Sequence, residues 1–282
     1  MANVDYERQP SYDLEDAAEG DRHAGHGIGG TTRRLVDGSR RSLQQPEEPF
    51  ATTIEPVYTP ASHVKDLMKW TGVMLFLGGG VASALGCYIF GPILGLFFNR
   101  FGAGFFAFVG FPLYELFMVS VRNTEGVNDA NVRFSMLSLS LTQGLLAGYA
   151  LSNYYLDSQP LLCLTPLVIA YVFPLLSDYF GHDRRQVVIL SAAAALVVNV
   201  LLAAAFGILG RAYVSLSLLY VTFTAVVLQH MMRNVHRVED QIHLYHVTLF
   251  TGFLVIKALV YGIFGTSYEV IRFETARLAA EK

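Results

Sequence analysis

From Leu67 to Phe264 the chain alternates long apolar runs with short polar stretches, giving about seven segments that each approach the twenty or so apolar residues needed to cross a hydrocarbon core. The period-two alternation of half-buried strands does not organise these runs, and within lipid only helices or closed barrels satisfy their own backbone hydrogen bonds. The pattern predicts an all-α fold: a polytopic membrane bundle of about seven transmembrane helices. The expected spans run from Met68 to Phe90, Phe101 to Val121, Phe134 to Tyr155, Pro160 to Phe180, Val187 to Leu209, Tyr213 to Met232 and Leu244 to Phe264. Pro166 and Pro174 predict a kink in the fourth. Gly78, Gly79, Gly80, Ala82, Ala84 and Gly86 in the first are residues small enough to let helices approach closely.

This divides the chain into a tail over 1–65, a membrane domain over 66–265 and a short carboxyl-terminal tail over 266–282. The tail at the amino end mixes acids, arginines, glycines and prolines, a composition that cannot bury a core and predicts disorder. Basic residues set the expected orientation. Lys65, Lys69, Arg122, Arg133, Arg184, Arg185, Arg233 and Arg237 collect on the side of the amino terminus, and the opposite loops hold Arg100 and Arg211. The amino-terminal tail is therefore expected in the cytoplasm. Seven crossings place Arg272, Arg277 and Lys282 on the other side, against the same rule, unless the last segment re-enters.

Composition supports a membrane protein: 53% of residues are hydrophobic and 15% charged, with a mean hydropathy of +0.41. The formal charge of −3 argues against a nucleic-acid partner. Cys87 and Cys163, both inside apolar segments, read as packing residues. No cofactor is expected.

Ionisable side chains at membrane depth are costly and so are candidates for function. Glu115 in the second span and Lys257 in the seventh are placed to neutralise one another, and Asp178 falls at the end of the fourth. His243 and His246, three apart on one helical face, are candidates to bind a metal or to titrate together near neutral pH. Gln229 completes the set of ion-pathway or pH-sensing candidates.

Three stretches carry a family resemblance: Met74-Leu75-Phe76-Leu77 before a Gly- and Ala-rich run; Leu141-Thr142-Gln143-Gly144-Leu145-Leu146-Ala147-Gly148-Tyr149-Ala150-Leu151; and Leu176-Ser177-Asp178-Tyr179-Phe180 ahead of Arg184-Arg185. In this order they resemble the Bax inhibitor family, also called transmembrane Bax inhibitor motif or lifeguard proteins, and this chain reads as a divergent member. The resemblance implies a non-enzymatic protein of the endoplasmic reticulum or another endomembrane that modulates calcium homeostasis and cell-death signalling. The partners it implies are the lipid bilayer, calcium ions and other membrane or cell-death regulatory proteins. The aspartates that the family carries late in its sixth helix and in its seventh are absent, since the sixth span reads Val226-Val227-Leu228-Gln229-His230-Met231. A calcium leak gated by paired carboxylates is thus in doubt.

Three other readings compete. A seven-helix zinc hydrolase of the ceramidase-like or progestin-receptor-like kind would draw its ligands from His243 and His246, but Ser120 is not followed by the expected histidine. A retinal-type Schiff base on Lys257 lacks an aspartate four residues earlier, where Phe253 stands. A small-molecule transporter is the remaining alternative.

Overall fold

The computed structural model describes residues 61–125, 129–180, 183–234 and 238–267. The expected tail over 1–65 falls outside them up to residue 60, as does the carboxyl-terminal tail from residue 268. The described chain is almost wholly helical. Helix α1 runs from Ala61 to Tyr88 and includes a π-helical stretch, Leu75–Ala82. A short α2, Gly91–Phe97, leads to α3 over residues 100–125, which has a second π-helical stretch at Phe106–Gly110. Then come α4, Asp129–Leu151; α5, Leu164–Phe180; α6, Arg184–Ala205; α7, Arg211–Arg233; and α8, Val238–Phe264. Six of these helices are long and apolar enough to cross a membrane, whereas α5 is shorter.

Local chemistry sets several helix ends. Asn99 caps α3 by accepting a hydrogen bond from the Gly102 amide, and Asp183 caps α6 through the Gln186 amide. Helix α6 stops at Gly207, whose φ of 65° is a left-handed conformation that glycine adopts without a Cβ penalty. The Ile208 amide then closes back on the Ala203 carbonyl at 2.9 Å.

Helix α1 is central. Its first half packs against α5 and its second half against α4, while α5, α6, α7 and α8 follow one another around the bundle. The α1–α4 contact is backbone against backbone. A Cβ built on Gly144 would strike the Gly78 carbonyl, one on Gly148 the Ser83 carbonyl, and one on Gly86 the Leu145 carbonyl. Gly144 and Gly148 are four apart, one turn of the same face, the spacing by which small residues bring membrane helices together. The core between α7 and α8 is aromatic: Tyr220 stacks on Phe253 with ring centres 4.5 Å apart.

Two tethers fix the direction of α8. At its start His243 Nε2 lies 2.9 Å from Asp129, the first residue of α4. At its end Thr266–Ser267 (β2) pairs antiparallel with Tyr154–Tyr155 (β1), just beyond α4. Helices α4 and α8 therefore run parallel over their full lengths, and α8, with 27 residues and about 40 Å at 1.5 Å per residue, does not turn back.

The glycine contact generates a prediction. Gly148→Ile forces a branched side chain into the Ser83 carbonyl and should cost at least the roughly 1–3 kcal/mol of an overpacked core. Gly262→Ala, where no atom lies within 4 Å of the added carbon, should be neutral or gain up to about 1 kcal/mol of helix propensity. Thermal melting in detergent separates the two variants, and equal melting temperatures would contradict the packing described.

Candidate functional site

The interior holds a set of polar side chains, and several of them bridge helices. Gln143 on α4 donates from Nε2 to the Ala107 carbonyl at 2.8 Å, inside the π-helical stretch of α3. A π-helical turn shifts the backbone bonding register, and here a neighbouring side chain reaches the carbonyl. Asn199 on α6 donates to the Thr165 hydroxyl at 3.1 Å and to the Ala195 carbonyl at 3.0 Å, and Tyr213 on α7 donates to the Asn199 carbonyl. These bonds join α5, α6 and α7. Sequence reasoning missed Gln143 and Asn199, since an amide within an apolar run carries no charge to flag it; its isolation among apolar neighbours was the available signal.

The two histidines lie at the end of the bundle where α4 and α8 begin. Their ring centres are 6.1 Å apart. His243 contacts the Asp129 carboxylate, which also lies 2.7 Å from Arg133 Nε. That arginine contact lacks hydrogen-bond alignment and is ionic in character. His246 is fully buried, with Nδ1 3.2 Å from the Thr71 hydroxyl of α1. His243 Nδ1 and His246 Nε2 are buried without a hydrogen-bond partner. Among the described residues no three His, Cys, Asp or Glu side chains converge as metal ligands.

Glu115 and Lys257 are both interior, as their charge in an apolar run predicts, but they do not meet. No salt bridge joins them, and they line different cavities. Glu115 is 1% exposed, and among the described residues neither carboxylate oxygen accepts a hydrogen bond. Beside it, against Val132, Ser135 and Met136, is a space of about 10 Å³, room for a single water. Lys257 borders a cavity of about 250 Å³ at the other end of the bundle, shared with Cys87, Tyr88, Tyr154, Gln159 and Tyr261. Gln229 and Asp178 are exposed on the outer faces of α7 and α5 and join neither group.

A family model described as interactor of ZYG-11 matches residues 34–267. The chain belongs to that family. Neither a curated protein nor a solved structure matches it significantly. Membership in the ZYG-11 interactor family overturns the Bax inhibitor resemblance, and with it the reading as a regulator of calcium homeostasis and cell death. The zinc-hydrolase and transporter alternatives gain no support from the family either. The physical reason is visible in the fold. Gly78, Gly86, Gly144 and Gly148, which carried much of the resemblance, are helix-packing contacts that any close helix pair can require. Asp178, taken as the end of a family helix, is an exposed residue near the end of α5.

The separation of Glu115 from Lys257 is testable by a double-mutant cycle. Glu115→Gln removes a buried carboxylate that has no partner, so stability should hold or rise. Combined with Lys257→Met, the effects should add to within about 0.5 kcal/mol, as for residues without shared partners. A coupling several times larger, measured from melting in detergent, would mean that the two charges meet.

Proposed function

We propose that the chain is a non-enzymatic, multi-pass membrane protein whose amino-terminal side faces the cytosol, and that it acts by binding a ZYG-11 protein there. The observation that carries the reading is the family match over residues 34–267, which takes in both the helical bundle and part of the segment ahead of it. The family description names ZYG-11 as a binding partner, so a protein surface is the expected target.

The surface chemistry supports the membrane part. Large apolar side chains face outward along the helices: Phe97 on α2, Phe101 on α3, Phe134 on α4, Leu201 on α6 and Ile263 on α8 are each more than half exposed. Glu115, Gln143, Asn199, His246 and Lys257 point inward. Contiguous apolar surface on this scale is untenable in water. An apolar exterior over a polar interior suits a bundle bathed in lipid. For orientation, the loop arginines and lysines that gather at the end where α1, α4 and α8 begin support a cytosolic placement of that end. The endoplasmic reticulum as the particular membrane was implied by the Bax inhibitor resemblance alone.

The experiment is a binding assay with purified components. Full-length chain, extracted from membranes in a neutral detergent and immobilised by a tag, should retain ZYG-11 and release it when untagged chain is added in excess. Failure to retain ZYG-11, with the chain folded by its melting transition, would overturn the reading. Carbonate washing of the membranes beforehand should leave the chain in the pellet; its release into the supernatant would remove the membrane part.

A further inference from the structure

We propose that the cavity beside Lys257 binds an amphiphile with an oxyanion head, whose head sits on the lysine and whose apolar chain leaves between the tyrosines at the cavity mouth.

Lys257 is 7% exposed, in the last third of α8, and among the described residues no ion pair or hydrogen bond reaches its ammonium. The Tyr261 ring face lies 5.7 Å away, a cation–π contact that offsets only part of the loss of water. No carboxylate lines the cavity among the described residues. A buried cation without a counter-charge is costly, and a ligand that brings its own negative charge removes that cost.

The walls favour an amphiphile over a small hydrophilic anion. The side towards α1 includes Gly79, packed against Leu162, and Gly80, whose missing side chain leaves space open, since a Cβ there would meet nothing closer than 3.7 Å. Leu162 adds apolar surface deeper in, and Leu151 and the exposed Leu161 extend it towards the rim. At the mouth stand Tyr88, Tyr154 and Tyr155, each more than 40% exposed. Tyrosines concentrate at the level of lipid headgroups, where one edge is apolar and the other wet. Gln159, which accepts a hydrogen bond from Tyr261 at 3.2 Å, places an amide on the same wall. A volume of about 250 Å³ is enough for a head and the first part of a chain, with the rest continuing into the apolar surroundings of the bundle. The chemistry fits a carboxylate or a phosphate equally, so a fatty acid and an anionic phospholipid share it.

Three probes with the same alkyl chain separate charge from apolar contact: lauric acid, dodecyl phosphate and dodecanol, titrated onto the purified full-length chain in a neutral detergent. At least one of the two anions should bind roughly tenfold or more tightly than dodecanol, the ratio expected for a charge-assisted contact. The tighter of the two identifies the head. Lys257→Met, which keeps the volume and removes the charge, should abolish the preference for anion over alcohol. Ala84→Phe, on the exposed rim of the cavity, leaves the lysine in place and should weaken all three probes. Equal binding of dodecanol and the anions, no binding of any probe, or a preference that survives Lys257→Met would overturn the site. If Lys257→Met does not fold, Ala84→Phe decides, and undiminished anion binding to it counts against the cavity.

Discussion

The bundle depends on the contact of α1 with α4, where two backbones touch through glycine. Gly78 and Gly86 on one helix and Gly144 and Gly148 on the other leave no side chain between them, so carbonyl groups of each helix pack against the Cα atoms of its partner. Dispersion over such close surfaces is the main attraction available to helices in lipid, where burying apolar groups brings no solvent gain. The consequences extend along both helices. The same close approach places Gln143 opposite Ala107 of α3 and sets Ser83 and Gly148 as adjoining walls of the Lys257 cavity. Widening the pair by one methyl group would displace all of these at once.

Around this pair the interior polar groups divide into those with partners and those without. Gln143, Asn199 and Tyr213 donate to neighbouring helices and act as local ties, each worth on the order of 1 kcal/mol. Glu115 has no hydrogen-bond partner among the described residues, and Lys257 faces an aromatic ring and an open cavity. A chain selected for stability alone gains nothing from either charge. The lysine, bordering a cavity large enough for a ligand, has the stronger claim to a role; Glu115 adjoins space for a single water.

Much of the fold was legible because apolar runs of helical length stand out between short polar stretches. All seven expected spans correspond to helices, although α1 begins at Ala61, earlier than the apolar run suggested, because its polar first turns pack on α5. Charges in apolar runs also marked Glu115 and Lys257 as interior. Their separation was not legible, since it depends on how far each residue lies along its helix and how that helix is rotated, neither of which composition records. His243 found Asp129 for the same reason: α4 and α8 start at one level, a fact of assembly. Gln229 and Asp178, both polar and near helix ends, face outward. The small-residue patterns misled on family because they report close packing, a requirement shared by unrelated helical bundles.

The claim at the centre of this account is that the helices cross a bilayer, with α4 and α8 parallel. In a Cys87→Ser, Cys163→Ser background, single cysteines at Asp129 and at Ser267 can be labelled with an impermeant thiol reagent in sealed, oriented membranes. The account predicts that Asp129→Cys reacts only from the cytosolic side and Ser267→Cys only from the opposite side. Labelling of both positions from one side would contradict it, because the tethers at the two ends of α4 and α8 would then not lie on opposite faces of the membrane.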